Sequence, residues 1–327
     1  MAHNNNVLLL DPSIGTSNVG DEIIMECALE ELRSIIGDRF VYRLPTHVSS
    51  FHWYQVWRNS LAIQNYSNCK YKFVCGSNLL MKDMLTHYPQ WNLNLWNCKP
   101  FAGSILLGVG ASAGEKTNAY TRRLYNKFLN HNIAHSVRDQ RSKEFLDSLG
   151  FKSINTGCVT MWKLTPEFCK TIPHGKASRV VFTLTAHNTP LESDQQMIDI
   201  LKRNYKEVYF WVQGDKDREY ISKFKNIDGI KIIPPTKQAY HELLSEPDLD
   251  YVGTRLHAGV YAMRHSKRAI IIVIDERARE INKSNNLVCM ERDAIRTKLE
   301  SLINSEFATE IRMPRAEIEA WKAQFKA

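Results

Sequence analysis

The chain has 327 residues, 43% of them hydrophobic, and its 43 Lys and Arg against 35 Asp and Glu leave a net charge of +8. That length favours two domains over one, and the thinly spread positive charge suits phosphorylated metabolites or the inner membrane face while, without a basic run or recognition motif, it argues against nucleic acid. No window is apolar enough to span a bilayer, the start MAHNNNVLLLDPS lacks a cationic leader, and seven cysteines without a Cys-x-x-Cys pair suggest neither a disulfide framework nor structural zinc, so a cytoplasmic protein is expected.

Residues 7–11 form an apolar run that reads as a buried parallel strand, followed by a polar loop to Gly20 and a helix over 21–36 with Ile24, Ala28, Leu32 and Ile35 on one face. Strand, glycine loop and helix N-terminus make a cradle for an anion. It is neither a Walker loop nor a dinucleotide fingerprint, because no Gly-Lys-Ser/Thr and no Gly-x-Gly-x-x-Gly occurs there. Asp21 either caps the helix or serves the ligand. Residues 41–44 read as a strand and 51–66 as an aromatic-rich helical stretch, whose Phe51, Trp53, Tyr54 and Trp57 either line a sugar platform or fill the core.

Strands over 71–75 and 105–109 run into Gly76-Ser77-Asn78 and Gly110, and one over 133–137 ends at Arg138-Asp139, with a helix over 141–149. Cys27, Cys75 and Cys158 sit in apolar settings and read as buried thiols. Residues 164–178 have linker composition. The strand and helix alternation then restarts, with strands near 179–184, 208–212, 231–233, 251–252 and 269–274. The expected fold is α/β: two doubly wound parallel-sheet, Rossmann-like domains over 1–165 and 176–312, facing across a cleft. A terminal segment, 313–327, opens at Pro314 and puts Ile318, Trp321 and Phe325 on one helical face to pack back on the first domain.

The most informative stretch is Asp250-Tyr251-Val252-Gly253-Thr254-Arg255-Leu256-His257-Ala258-Gly259. It reads as strand, short loop and helix, with Arg255 and His257 where the helix N-terminus opens. Arginine offers a planar donor fork for carboxylate or phosphate, and histidine exchanges a proton near neutral pH. The pair suits an anionic substrate that must be protonated. The plainer alternatives are a core histidine and an ion-paired arginine.

Four segments together resemble the polysaccharide pyruvyl transferase family: Asn18-Val19-Gly20-Asp21-Glu22, Ser136-Val137-Arg138-Asp139 with Ser142, Thr156-Gly157-Cys158, and Thr254-Arg255-Leu256-His257-Ala258. The resemblance implies a glycosyltransferase-B-like fold. It also implies transfer of a group from phosphoenolpyruvate to two hydroxyls of one sugar, leaving a cyclic pyruvate ketal, with phosphoenolpyruvate as co-substrate and no cofactor or metal. His257 is then the general acid, Arg255 the anion clamp or a positioning residue, and Gly253 and Thr254 line the donor site. Asn18, Gly20, Ser77, Asn78 and Arg138 are acceptor contacts, with Asp21 a candidate base; Arg138 and Asp139 either hold the phosphate side of the acceptor or pair with each other. The acceptor is a sugar or lipid-linked oligosaccharide at the inner leaflet, and nothing in the sequence signals an oligomeric state.

Two departures stand out. The family often carries an arginine after the first strand of the second domain, where this chain reads Phe182-Thr183-Leu184-Thr185-Ala186-His187-Asn188. His187 is the first substitute for the donor clamp, ahead of Arg179, Arg264 and Arg268. At Cys75-Gly76-Ser77-Asn78 a richer glycine run is usual. The same architecture also serves nucleotide-sugar glycosyltransferases, and loss of the donor arginine fits a non-catalytic sugar- or anion-binding relative, so both stay as alternatives.

Overall fold

A computed structural model of the protein describes residues 4–86, 90–112, 117–186 and 191–325. The chain divides into two compact units, one gathering residues up to 16, 24–159 and 314 onward, the other residues 17–23 and 160–313. The first unit therefore omits a stretch that was expected in it: 17–23 groups with the second unit, because Val19 N–H donates to the Gln213 carbonyl and Asp215 N–H to that of Ser17.

As far as residue 155 the strands and helices run β1 (Asn4–Asp11), α1 (Gly20–Ile36), β2 (Val41–Pro45), α2 (Trp53–Arg58), α3 (Leu61–Ser67), β3 (Cys69–Cys75), β4 (Ile105–Leu107), α4 (Ala119–Phe128), β5 (His135–Val137), α5 (Gln140–Ser148) and β6 (Ser153–Asn155), all in the first unit but for the first turn of α1. The main sheet has the parallel order β2-β1-β3-β4, and a bridge from Val109 to Val137 leads toward the parallel pair β5-β6. Val7, Leu8, Leu9 and Leu10 are all buried, as a central parallel strand covered on both faces requires. The helical stretch expected over 51–66 is divided into two helices. Asn59 takes a left-handed conformation at φ 50° and ends α2, and the Ser60 side chain accepts from Ile63 N–H to start α3.

The second unit adds α6 (Pro166–Cys169), β7 (Arg179–Thr183), α7 (Leu191–Asn204), β8 (Glu207–Trp211), α8 (Asp217–Ile221), β9 (Lys231–Ile233), α9 (Lys237–Ser245), β10 (Leu249–Gly253), α10 (Leu256–Arg264), β11 (Ala269–Val273), α11 (Glu276–Asn285), β12 (Cys289–Glu291) and α12 (Ile295–Asn304). Its six strands are all parallel in the order β12-β11-β10-β7-β8-β9. Counted from β7, this is the 3-2-1-4-5-6 order of a doubly wound nucleotide-binding sheet. Two internal ion pairs brace it: Arg292 Nε donates to Asp194 (3.0 Å), and Arg268 donates to Asp250 (2.9 Å) and to the last carbonyls of α12. Residues 164–178 are not a free linker, since Leu164, Cys169 and Ile172 are buried and Thr165 caps α6.

The last helix, α13 (Arg315–Ala323), belongs to the first unit. Its Trp321 and the following Phe325 meet Phe73 of β3 at ring-centroid distances of 6.1 and 5.3 Å, and Lys322 pairs with Glu31 of α1 at 2.7 Å. Among the described residues no helix is long and apolar enough to cross a membrane.

Candidate functional site

In a doubly wound sheet the ligand crevice opens at the carboxyl ends of the two strands where the crossovers diverge. In the second unit those strands are β7 and β10, paired in register from Arg179–Leu249 to Thr183–Gly253. Arg255 and His257 come directly after β10. Arg255 is the N-cap residue of α10 but makes no side-chain cap. Its guanidinium is engaged elsewhere: Nε donates to the Leu184 carbonyl (3.0 Å), and one terminal nitrogen donates to both oxygens of Asp217 (2.7 and 2.8 Å). Asp217 is fully buried and also accepts from Gly214 N–H at 2.7 Å. Arg255, 13% exposed, is therefore a strut joining three strand ends, its charge already balanced, rather than an open anion clamp.

Further bonds lock the junction. Arg255 N–H donates to Thr183 Oγ1 (3.3 Å), Thr183 Oγ1 lies 2.6 Å from the Tyr251 hydroxyl, and that hydroxyl donates to the Arg255 carbonyl (2.8 Å). Burial pushes the Tyr251 phenol well above its ordinary range, so it stays neutral. His257, 8% exposed, sits in the first turn of α10 at this end of the sheet. The helix N-terminus beside it has positive character and no side-chain cap, a setting that favours an anion.

The β8 exit adds Gln213, which no motif in the sequence marks. Gln213 is buried, its Nε2 donates to Asn18 Oδ1 (2.7 Å), and its Oε1 has no protein partner. The run Val208 to Gln213-Gly214 carried the same signal as Gly76 and Gly110, an apolar strand ending in glycine. A Cβ on Gly20 would come 2.7 Å from Gln213 Nε2, so Gly20 serves this close approach. Asn18 Oδ1 also accepts from Gly20 N–H, while Asp21, buried, is the second residue of α1 and not its cap. Asn18, Gly20 and Asp21 thus group with the second unit, the side assigned to the donor.

Two expected donor contacts have packing roles. Gly253 faces β7 so closely that a Cβ would lie 2.5 Å from Thr183 Oγ1 and 2.7 Å from its nitrogen. The Thr254 hydroxyl is buried 2.8 Å from that of Thr185, the residue at the place of the expected donor arginine. The alternative cations lie elsewhere. Arg179 opens β7 and pairs with Glu246, Arg268 precedes β11, and Arg264 ends α10 and donates to the Thr160 carbonyl. The first two mark the amino ends of their strands, and a helix returning from the carboxyl end carries the third away too. His187 lies outside the described residues.

In the first unit the order 2-1-3-4 places the divergence between β1 and β3. There Gly76 and Ser77 both have left-handed backbones (φ 68° and 63°), and a Cβ at Gly76 would meet Ile24 at 2.4 Å. Arg138, buried, donates from Nε to Asp139 (3.1 Å) and from a terminal nitrogen to Asn78 Oδ1 (3.1 Å), so Asn78 and Arg138 are brought together. Gly110 makes room for that guanidinium, which a Cβ would approach to 2.2 Å. Asp139 caps α5 by accepting from Ser142 N–H and Oγ, Ser142 Oγ accepts from Ala111 N–H, and Ser136 Oγ accepts from Gly108 N–H beside the Thr156 hydroxyl. The Ser-Val-Arg-Asp segment is thus a hydrogen-bonded brace holding Arg138 and Asn78. At the end of β3, burial pushes the Cys75 thiol far up, so it is inert.

Comparison with known proteins gives a family and a fold. The family model described as Polysaccharide pyruvyl transferase matches residues 18–276. No curated protein sequence matches. Among solved structures, the chain is similar to the UDP-GlcNAc 2-epimerase of Methanocaldococcus jannaschii in complex with UDP-GlcNAc and UDP, at 11% identity and TM-score 0.55 over 98% of this chain and 99% of that one. It is also similar to the UDP-GlcNAc 2-epimerase of Neisseria meningitidis bound to UDP-GlcNAc, at 14% identity and TM-score 0.51 over 98% of each. At these identities the likeness is one of fold: two Rossmann-like parallel-sheet domains of the glycosyltransferase-B-like kind.

Proposed function

The chain belongs to the polysaccharide pyruvyl transferase family, and from that premise we propose that it moves the pyruvate unit of phosphoenolpyruvate onto two hydroxyls of one sugar, in a cell-surface polysaccharide or its lipid-linked precursor. The observation that carries this reading is His257 in the first turn of α10, beside a helix N-terminus without a side-chain cap. In this scheme the phosphoenolpyruvate anion rests at that N-terminus, and the His257 imidazolium gives its proton to the methylene carbon. The phosphate-bearing carbon becomes oxocarbenium-like and a sugar hydroxyl attacks it. The C–O bond to phosphate then breaks, and the neighbouring hydroxyl closes the ketal. Of the two hydroxyl protons lost, one balances the proton now in the methyl group and the other leaves with hydrogen phosphate.

Asp21 is the candidate acceptor for a hydroxyl proton, and Arg255 acts through α10 as a positioning residue. Gln213 Oε1 offers an acceptor for a ligand hydroxyl, and His187 remains the candidate donor-side cation. Asn18, Ser77, Asn78 and Arg138 are assigned to the acceptor. Phosphoenolpyruvate is a co-substrate, and no resident cofactor enters the scheme. A lipid-linked acceptor would bring a chain of net charge +8 to the anionic inner leaflet by electrostatics alone.

Thermal stabilisation tests the donor assignment. At about 100 times its dissociation constant a ligand stabilises by about 2.7 kcal/mol, a readily measured shift. Phosphoenolpyruvate is expected to raise the melting temperature of the wild type, and UDP, GDP and nucleotide sugars to leave it unchanged. Stabilisation by a nucleotide and none by phosphoenolpyruvate would replace this reading with a nucleotide-sugar glycosyltransferase.

A further inference from the structure

Only part of the aromatic stretch after β2 joins the core. Of Phe51-His52-Trp53-Tyr54-Gln55-Val56-Trp57, Val56 is buried and Phe51 half-buried, stacked on Tyr66 and Phe101 at 5.6 and 5.8 Å. Those two anchors fix the segment and turn Trp53 outward, 63% exposed. A second tryptophan, Trp96, is 69% exposed on a loop that two asparagines hold shut: Asn94 N–H donates to Asn97 Oδ1 (2.8 Å), and Asn97 and Trp96 N–H donate to Asn94 Oδ1 (3.0 and 2.9 Å). Trp91, a few residues earlier, is by contrast buried against Phe128. Leaving large indoles in water on braced backbone forgoes burial that aromatic side chains ordinarily contribute to the core.

Trp53 and Trp96 border one cavity of about 510 Å³, with His52, Asn94 and Asn97 also on its wall. That volume falls within the usual range for small-molecule sites, about 300–1,000 Å³. Among the described residues its lining contains no Asp, Glu, Lys or Arg, in a chain that carries 43 basic and 35 acidic residues. An anionic or nucleotide ligand would want a cation here, and a flat lipid surface would not need a concave wall of amides. A pyranose ring fits both features, with its C–H face on an indole and its hydroxyls on the asparagine amides. We propose that this pocket in the first unit binds a neutral hexose unit of a glycan. The fixed 94–97 loop presents the Trp96 backbone already ordered, which limits the entropy lost on binding. The proposal stands whichever group the protein transfers.

Calorimetric titration of the full chain with maltotetraose, cellotetraose, mannotetraose and galactotetraose tests it, alongside Trp53→Ala and Trp96→Ala. Both residues are exposed, so the variants are expected to keep the wild-type melting temperature and its response to phosphoenolpyruvate. At least one tetrasaccharide should bind the wild type, and each substitution should weaken it tenfold or more. Absence of binding by all four sugars, or binding that neither substitution changes, overturns the proposal. So does co-sedimentation with phosphatidylcholine vesicles that Trp53→Ala abolishes in a protein that ignores the sugars.

Discussion

Replacing Asp217 with asparagine removes the charge that balances Arg255 while keeping side-chain volume. Asp217 is fully buried and accepts two bonds from Arg255 and one at 2.7 Å from Gly214 N–H, so the substitution also sets an amide N–H₂ against donors. Breaking one side of a buried pair costs about 3–5 kcal/mol. The lower end applies, because Arg255 is 13% exposed and keeps its bond to the Leu184 carbonyl. For a unit of this size about 3 kcal/mol corresponds to a fall of about 6–12 °C in melting temperature, measurable by calorimetry. Asp217→Asn combined with Arg255→Met should cost less than the sum of the single changes by about 2 kcal/mol. A cost for Asp217→Asn below about 1 kcal/mol, with additive single changes, would match an exposed ion pair and refute the strut.

The remaining expectations concern both units. Burial lowers the His135 pKa to about 4, and the ring is held neutral, its Nδ1 accepting from Leu106 N–H and its Nε2 facing the Asn130 carbonyl. The unfolded chain binds the proton more readily, so the contribution to stability is full above about pH 6.5 and is lost as pH falls toward 4, by about 3 kcal/mol in all; urea titrations across that window should flatten in His135→Gln. Gly253→Ala puts a methyl 2.5 Å from Thr183 Oγ1 and should cost about 1–3 kcal/mol or more by overpacking, read as a lower urea midpoint. Asp139→Ala removes the α5 cap and a partner of Arg138, so it should cost about 1–2 kcal/mol, whereas Asp139→Asn, which still caps, should recover most of it.

Most strands were legible because a buried parallel strand must be apolar almost throughout, as residues 7–10 and 269–273 are. The two that escaped, β6 and β12, are three-residue strands at the edge of their sheets, where Asn155 and Glu291 break the apolar pattern. Arg255 and His257 were legible as neighbours at a strand end. The partner that neutralises Arg255 was not, since Asp217 is distant in sequence and nothing local marks it as buried. The amino-end position of Arg268 was readable in principle, because it immediately precedes the apolar run that begins at Ala269. Aromatic spacing alone could not separate core from surface at Trp53 and Trp57, because burial there is decided by Phe51 and Val56.

The central claim is that His257 protonates the methylene carbon of phosphoenolpyruvate as the ketal forms, and transfer carried out in D₂O tests it most directly. NMR of the glycan product should show a ketal methyl group carrying a single deuterium, one phosphate released per pyruvate added, and neither signal in His257→Ala. Ketal formation that persists at the wild-type rate in His257→Ala, or a methyl group that gains no solvent deuterium, would contradict the account.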